Sequence, residues 1–367
     1  MSLGQPVNQN EAPSRSCCAS FWHGVHRAPR RQDPGVCRRK PGRSLIGPRP
    51  RTMSRPSRAS AVGLLALVFV ISMANSLQAR VNGAASDAID HPIMAAMVSV
   101  GGGFFLSLVI VMGRARTRTA ALQIFSHVRT GALKPWNYFA GFGGGIFILG
   151  QALVVPAFGV TIYIIAVVAG QTAASLLVDR IGIGPAGKQA VTTLRVISAI
   201  VAVVGVAVSS LGRGDVGSIA VAAVAYGLAA GAATAAQYGL NGTIAKATGS
   251  AMVTSALNFA MGFTLLSILL VANTVVLGDP IVRPPSLLET PWLWLGGPLG
   301  ILFIASAALF VRYLGVLVFT LASVAGQLGG ALLLDLFFPT PGTVLTVFVL
   351  VGLVVTATGV YLSTLRR

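Results

Sequence analysis

The chain has 367 residues, of which 54% are hydrophobic and only 10% are charged, whereas an average soluble domain carries roughly 25% charged residues. Its formal net charge is +18, and twelve of its 27 Lys and Arg residues fall within residues 1–58. This composition excludes a water-soluble globular fold and leaves no length for a soluble catalytic domain. All three cysteines also lie in residues 1–58, which excludes a disulfide framework and thiol chemistry from the rest of the chain.

Residues 1–58 form a basic tail that is rich in Arg, Pro and Gly. Such a segment is predicted to be disordered, because it has little apolar surface to bury. Two interpretations stay open. Either the tail contacts anionic lipid or nucleic acid through its charge, or residues 1–52 are a start assigned too early, with Met53 as the first residue. We favour the second interpretation and expect no nucleic-acid partner.

The rest of the chain consists mainly of apolar segments of membrane-spanning length. About 20 apolar residues cross a hydrocarbon core of roughly 30 Å, and backbone groups in lipid must be paired within one helix or within a closed barrel. The polar alternation of a β-barrel is absent, so the sequence predicts an all-α integral membrane protein with ten transmembrane helices. These are predicted at 60–79, 92–112, 136–155, 159–178, 191–211, 216–240, 250–277, 291–311, 315–338 and 342–363.

An internal repeat relates the two halves of this region. Residues 135–179 align without a gap with residues 291–335, and the matched residues include Gln171 with Gln327 and Asp179 with Asp335. Further upstream, Gln78, Asn82 and Gly83 match Gln237, Asn241 and Gly242. We infer two five-helix units, 59–212 and 213–367. Because five is odd, the second unit is inverted in the membrane, as in many alternating-access transporters.

The basic residues indicate how the chain is oriented. With the N-terminus in the cytoplasm, eleven Lys and Arg residues fall in inner loops or at the C-terminus, and three fall in outer loops. The positive-inside rule therefore predicts that both termini are cytoplasmic. The inner residues are Arg114, Arg116, Arg118, Arg129, Lys134, Arg180, Lys188, Lys246, Arg312, Arg366 and Arg367, and the outer residues are Arg80, Arg213 and Arg283.

Two copies of one motif carry a family resemblance. The pattern G..G......P.LG......V.GQ.....L.D fits Gly141–Asp179 and recurs at Gly297–Asp335, although Arg312 replaces the proline found at Pro156. The chain resembles the YdcZ-type proteins of the drug/metabolite transporter superfamily, in a fused two-copy form. The resemblance implies a bacterial inner-membrane protein in which helices 1–4 and 6–9 surround a central cavity, with helices 5 and 10 outside. It also implies that small metabolites or drugs are the substrates.

Polar residues inside the predicted helices are the candidates for a solute site, because each costs free energy unless it lines a cavity or finds a partner. Gln171 and Gln327 occupy symmetric positions at the middle of helices 4 and 9, and we expect them to contact the solute at the repeat interface. The alternative is that they form structural hydrogen bonds between helices. The other substrate-binding candidates are Gln78, Gln237, Asn75, Asn258 and Tyr163.

Asp179 and Asp335 are the candidates for gating residues. Both are predicted at the C-terminal ends of helices, where the helix dipole disfavours a carboxylate. An acidic residue at the same unfavourable position in both repeats suggests a gate or an ion pair. The alternative is that both carboxylates are solvated at the helix ends.

Small residues predict how the helices pack. Gly141/Gly145, Gly227/Gly231, Gly296/Gly300 and Gly326/Gly330 are pairs spaced four residues apart, so each pair lies on one helix face. Such faces allow close backbone approach in a bilayer, where lipid offers no hydrophobic drive for helix association.

Two sequence matches to soluble-enzyme motifs carry no weight. GIGPAGK at 182–188 lacks the hydroxyl residue of a phosphate loop, and GRGDVG at 212–217 lies between two membrane spans. The sequence shows no catalytic constellation, and we expect no enzyme activity, no cofactor and no metal site. The predicted partners are a small-molecule solute and the lipid bilayer, and a homodimer stays open.

We therefore predict a secondary transporter or exporter of small polar or amphipathic metabolites or drugs that works by alternating access. The alternative is a non-transporting membrane scaffold or accessory subunit built on the same helix packing. The two differ in whether a central space is open for a solute or filled by side chains.

The charge distribution gives a test of orientation. In a background with the three cysteines replaced by serine, Arg118→Cys and Lys188→Cys should be shielded from an impermeant thiol reagent in intact cells. Arg283→Cys should be labelled, because its loop is predicted outside. Equal labelling of Lys188→Cys and Arg283→Cys would contradict the predicted topology.

Overall fold

A computed structural model describes residues 58–184, 187–188, 190–211, 218–314, 316–340 and 343–362 of the chain. Among these, the side chains of 58–62, 218, 305 and 307–321 are not described. The prediction of a disordered tail therefore lies almost entirely outside the described residues.

Ten long α-helices follow the ten predicted segments, and the part of the chain that the structure describes contains no strand, which confirms the all-α fold. Two short helices, α3 and α4, and two 3-10 helices occupy connections between them. The α-helices are α1 (Arg58–Ile89), α2 (Pro92–Gly113), α3 (Ala115–Leu122), α4 (Ser126–Arg129), α5 (Ala140–Phe158), α6 (Val160–Ile181), α7 (Thr193–Leu211), α8 (Ser218–Thr248), α9 (Ala251–Leu277), α10 (Gly296–Leu314), α11 (Val316–Phe337) and α12 (Val347–Leu362). The 3-10 helices are Pro135–Phe139 and Pro291–Trp294.

Seven of the helical segments are long and apolar enough to cross a membrane on length and composition alone: Gly63–Ile89, Pro92–Gly113, Pro135–Phe158, Val160–Ile181, Thr193–Leu211, Ile219–Thr248 and Ala251–Leu277. Shorter apolar stretches, Pro291–Ile304, Ala322–Phe337 and Val347–Leu362, occur in the remaining three. Together these ten helices form the membrane-spanning part of the chain. We call the end of the bundle that holds Arg58 and Leu362 the proximal end, and the opposite end the distal end.

Two helices extend well beyond their predicted ends. The structure continues α1 from the predicted end at residue 79 to Ile89, and α8 from residue 240 to Thr248. Arg80, expected in an outer loop, therefore lies within a helix. The extension of α1 follows from burial, because Asn82 is fully buried and a Cβ added at Gly83 would lie 2.7 Å from a methyl carbon of Val155 on α5.

The turns that follow these two helices are related by the repeat. Each has a residue with positive φ, Asp90 at 52° and Gly249 at 64°. The next residue caps the following helix: His91 Nδ1 accepts the Met94 N–H at 3.2 Å, and Ser250 Oγ accepts the Val253 N–H at 3.3 Å. N-caps of this kind satisfy backbone donors that would otherwise be unpaired at a helix start. Equivalent chemistry at equivalent turns agrees with the duplicated architecture.

The closest helix packing is also duplicated. Helix α6 packs along α8, and its repeat counterpart α11 packs along α1. A Cβ added at Gly170 of α6 would lie 2.1 Å from the Leu228 carbonyl oxygen, and one added at Gly326 of α11 would lie 2.3 Å from the Phe69 carbonyl oxygen. The predicted glycine faces therefore do bring helix backbones together.

Helices α7 and α12 form a separate pair at the flank of the bundle and contact it mainly through α6. Their interface consists of small residues: a Cβ added at Gly205 would lie 2.7 Å from the Gly352 carbonyl oxygen, and the Thr356 hydroxyl donates to the Ala202 carbonyl at 3.3 Å. These two helices are the fifth and tenth long helices, and the cavity described below lies among the others.

The glycine packing gives a stability test. Gly231→Ala should destabilise the protein by about 1–3 kcal/mol, as overpacking does in other cores, because the added Cβ would lie 2.1 Å from the Val167 carbonyl oxygen. The control is Gly63→Ala, where the added Cβ has no neighbour within 4 Å. Thermal unfolding in detergent measures both variants. Equal melting temperatures for the two would contradict the packing assignment.

Candidate functional site: a central polar cavity

A cavity lies among α1, α2, α5, α8, α9 and α10, and its empty volume is about 610 Å³ when the open solvent at its mouth is included. The fifth and tenth long helices contribute no described residue to its wall, as the resemblance implies. The fourth and ninth, α6 and α11, contribute none either, because they pack against α8 and α1 outside it. The polar wall residues are Asn75, Gln78, Thr234, Gln237, Tyr238, Asn241 and Asn258.

Three amide side chains on one side of this cavity form a hydrogen-bonded chain. Gln237 Nε2 donates to Asn258 Oδ1 at 2.9 Å, and Asn258 Nδ2 donates to Asn241 Oδ1 at 2.7 Å and to the Thr254 carbonyl at 2.8 Å. Gln237 and Asn241 are one helical turn apart on α8, and the tight turn before α9 brings Asn258 opposite them. We call Gln237, Asn241 and Asn258 the proximal amide cluster, since all three lie in the proximal halves of their helices.

Glycines on α5 leave the space that this cluster needs. A Cβ added at Gly144 would lie 2.9 Å from Gln237 Nε2, and one added at Gly141 would lie 2.2 Å from the Asn258 carbonyl oxygen. A larger residue at Gly141 would push α5 away from α9, and one at Gly144 would displace the Gln237 amide. The predicted glycine face of α5 therefore both packs the helices and holds the amides at the cavity wall.

A second polar group lies in the distal half of the bundle, at the positions that the repeat relates to the proximal amide cluster. Gln78 Nε2 donates to the Gly296 carbonyl at 2.7 Å, and Asn82 Nδ2 donates to Gln151 Oε1 at 2.6 Å. Gln78 forms part of the cavity wall, whereas Asn82 and Gln151 are fully buried behind it.

Four of the seven predicted substrate-binding residues thus lie at one cavity: Asn75 and Gln78 on α1, Gln237 on α8 and Asn258 on α9. The structure places the other three, Gln171, Gln327 and Tyr163, outside the cavity wall.

The symmetric pair Gln171 and Gln327 lies at helix interfaces. Gln327 is buried between α11 and α1: its Nε2 donates to Ser323 Oγ at 3.2 Å, and its carbonyl accepts from Ser76 Oγ at 2.6 Å. Gln171 is partly buried on α6 where that helix meets α8, since a Cβ added at Gly231 of α8 would lie 2.7 Å from its backbone nitrogen. A direct contact between either glutamine and a solute stays a prediction, and for Gln327 the geometry favours the alternative of a structural hydrogen bond.

Tyr163 also has a packing position. It belongs to α6, its side chain is completely buried, and its hydroxyl donates to the Phe147 carbonyl. Phe147 belongs to the cavity wall, so Tyr163 supports that wall from behind. Its predicted contact with a solute likewise stays a prediction.

Asp335, a predicted gating residue, joins two helices at the distal end. It is only 2% exposed, and its carboxylate accepts the Val160 N–H at 3.0 Å and the Thr161 N–H at 2.6 Å. Asp335 therefore caps the N-terminus of α6 from α11, and the positive end of the α6 dipole offsets its unfavourable position at the end of its own helix. Gly159 permits the contact, because it has φ +83° and an added Cβ would lie 3.0 Å from Asp335 Oδ2.

Asp179, its repeat counterpart, has a different partner at the proximal end. Its carboxylate forms an ion pair with Arg195 at the start of α7, and 34% of its side chain is exposed. The two acidic residues are therefore equivalent in sequence but not in environment, since one is a buried interhelical cap and the other an accessible ion pair.

Several residues of the site were not predicted from the sequence. Asn241 and Asn82 were assigned to loops, although the repeat alignment already matched them with each other. Tyr238 and Thr234 lie on α8 within a predicted helix, and only the direction of that helix face shows that they reach the cavity. Arg195 was not predicted as the partner of Asp179, because its distance to the carboxylate depends on how α6 and α7 pack.

The two soluble-enzyme motifs have no role in the cavity. The first begins at Gly182, which has φ +80° and ends α6, and the helix before it cannot supply the strand that a phosphate loop needs. The second, 212–217, lies outside the described residues.

Solved structures and curated proteins do not identify the family of the chain. A solved structure described as "Crystal structure of protein" is 18% identical to this chain, with a TM-score of 0.47, and the match covers 84% of this chain and 98% of that one. No curated protein matches.

A family model identifies the family of the chain. The model described as "Putative inner membrane exporter, YdcZ" matches this chain twice, at residues 63–208 and 222–362. The two matches correspond to the two repeats and cover most of the chain, and the family is one of membrane exporters rather than enzymes. The chain therefore belongs to the YdcZ family of the drug/metabolite transporter superfamily, in a form that contains two copies in one polypeptide.

Proposed function

We propose that this protein is a secondary transporter that exports a small, neutral, polar or amphipathic solute from the cytoplasm of a bacterium by alternating access. The observation that carries the proposal is the proximal amide cluster on the wall of the central cavity. Amides inside a membrane bundle are costly unless they line an aqueous space or bind a partner, and here three of them do so together.

The hydrogen bonds within the cluster indicate which chemical groups a solute should carry. They use the Gln237 amide nitrogen and the Asn241 amide oxygen. The Gln237 carbonyl oxygen therefore remains as an acceptor, and the Asn241 amide nitrogen remains as a donor, for a solute. A hydroxyl, a primary amide or an amine–carbonyl pair would match this combination.

The rest of the wall favours an amphipathic and uncharged solute. Three phenylalanines, Phe147, Phe259 and Phe303, lie opposite or beside the amides, and none of the described wall residues is acidic or basic. A charged solute would have no counter-ion there, and the wall offers no carboxylate for proton coupling. This arrangement supports uncoupled passage or solute exchange.

The open cavity also bears on the alternative of a membrane scaffold. A scaffold gains stability by filling its interior with side chains, since unfilled space forfeits packing contacts. A cleft with several amides on its wall supports transport instead.

The asymmetry between the two ends supports alternating access. At the distal end α5 packs on α1, whereas the repeat-related helices α10 and α8 have no comparable packing among the described residues. Asp335 holds α11 to α6 at that end, while Asp179 at the proximal end pairs with Arg195. We interpret this conformation as open towards the proximal end, which we expect to be cytoplasmic from the charge distribution.

Replacing the glutamine and an asparagine of the proximal amide cluster tests the binding site. A thermal-shift screen of the purified protein against a metabolite library would find a ligand, because a bound ligand raises the apparent stability. Gln237→Leu and Asn258→Leu should then weaken its binding by about 1–3 kcal/mol each, as expected when a buried hydrogen-bond partner is lost.

Gln327→Leu is the matched control for this experiment. Its amide bonds to Ser323 on its own helix, so we expect a lower melting temperature with the ligand-dependent shift unchanged. If Gln327→Leu abolished the shift and Gln237→Leu preserved it, the solute site would lie at the α1–α11 interface and the assignment to the cavity would be overturned.

The gate can be tested with Asp335→Asn. The change removes a charge-assisted acceptor worth about 1.5–3 kcal/mol, enough to shift a two-state equilibrium tenfold or more. A cysteine at Ala331, which is fully buried one turn before Asp335, should then react faster with an impermeant thiol reagent. Asp279→Asn, in an exposed loop at the same end of the bundle, is the control. Equal labelling rates in the two variants would show that Asp335 is not a gate.

A further inference from the structure

The distal half of the bundle contains buried polar groups that the cavity does not use. Asn82 on α1, Ser99 on α2 and Gln151 on α5 are each fully buried. The Asn82 amide donates to Gln151, but Asn82 Oδ1, Ser99 Oγ and Gln151 Nε2 have no hydrogen-bond partner in the described part of the chain. Unpaired buried polar atoms carry a desolvation cost, and a native fold retains them where they have a use.

Two of these residues are the repeat counterparts of the proximal amide cluster. A shift of 159 positions matches Gln78 with Gln237 and Asn82 with Asn241, and the same shift carries Ser99 onto Asn258. The surroundings match as well, since Gly103 is carried onto Gly262 and the capping residue His91 onto Ser250. The distal polar group is therefore the same structural unit as the proximal amide cluster, facing the other way.

Neighbouring glycines on the facing helices confirm the equivalence in three dimensions. A Cβ added at Gly144 of α5 would lie 2.9 Å from Gln237 Nε2, and one added at Gly300 of α10 would lie 2.8 Å from Gln78 Nε2. The arrangement of α10 against α1 thus reproduces that of α5 against α8. What differs is the next helix: α5 covers the distal group, whereas no comparable packing of α10 on α8 covers the proximal one.

From these contacts we infer that Gln78, Asn82 and Ser99 form a second solute half-site, closed in this conformation by Gln151 of α5. It would take the same kind of group as the proximal amide cluster, a neutral hydrogen-bonding group such as an amide or a hydroxyl. Asn82 Oδ1 and Ser99 Oγ offer acceptors and the Ser99 hydroxyl offers a donor. The Asn82–Gln151 hydrogen bond keeps this half-site closed, and we call it the latch. Gln78 lies at the wall of the present cavity, between the two half-sites. The inference rests on the proposed function.

Cysteine accessibility tests the inference without a known solute. In a background with the three native cysteines replaced by serine, Ser99→Cys and Asn258→Cys are exposed to a charged methanethiosulfonate reagent, in intact cells and in inverted membrane vesicles. We expect the two cysteines to react from opposite sides of the membrane. Asn258→Cys should react quickly, and Ser99→Cys slowly, because this conformation closes the distal half-site.

Removing the latch should change only the distal rate. Adding Gln151→Ala to Ser99→Cys should speed labelling about five- to tenfold, the population shift expected for one lost hydrogen bond. The control is Gln123→Ala, a change at an exposed residue between α3 and α4. Size-exclusion chromatography of each variant in detergent establishes folding, and Gln151→Asn provides a second, more conservative variant if Gln151→Ala does not fold.

The outcomes separate this inference from the proposed function. If Asn258→Cys reacts from one side while Ser99→Cys reacts from neither, with or without Gln151→Ala or Gln151→Asn, the cavity stands and the second half-site is overturned. Labelling of both cysteines from the same side also overturns it, because Ser99 would then belong to the present cavity. If Asn258→Cys itself is inaccessible from both sides, the proposed function fails first.

Discussion

The structure depends on one constraint, which is that polar groups inside a membrane bundle need partners. The chain meets it in two ways: it pairs buried amides and hydroxyls between helices, or it places them on the wall of a cavity. Glycines make both solutions possible, because close backbone contact at positions such as Gly170 and Gly326 fixes the helices tightly. The cavity remains where two helices of this tightly packed set do not close on each other.

The duplicated sequence uses the same residue types differently in its two halves. Asp335 is buried and caps α6, whereas Asp179 is ion-paired near the surface. Asn82 is covered by Gln151, whereas Asn241 lies at the cavity. If the two halves had identical environments, the bundle would be symmetric and open equally to both sides. We therefore interpret the differences between equivalent residues as features of one conformation in the proposed transport cycle.

The sequence predicted the ten helices and the repeat, because hydropathy and internal similarity depend on the chain alone. Of its seven candidate substrate-binding residues, four lie at the cavity wall. It did not predict the ends of α1 and α8. Asn-Gly pairs are typical of turns, yet Asn82-Gly83 and Asn241-Gly242 lie inside helices, since burial and amide partners stabilise them there. Nor did it show that Gln171 and Gln327 lie at helix interfaces. Which face of a helix meets the cavity depends on its neighbours, and that information is not local in the sequence.

The same contacts bear on how the proposed alternating access would occur at modest cost. The interfaces α6–α8 and α1–α11 are related by the repeat and both contain glycines in close backbone contact, so we expect each pair of helices to move as a unit. The polar contacts that differ between the two ends are few, namely the Asp335 cap and the Asn82–Gln151 hydrogen bond, and the packing of α5 on α1 differs as well. Exchanging a small number of hydrogen bonds, each with a net worth of about 1 kcal/mol in neutral pairs, keeps two states within a few kcal/mol of one another. A solute that pairs with the freed amides is then sufficient to bias the equilibrium.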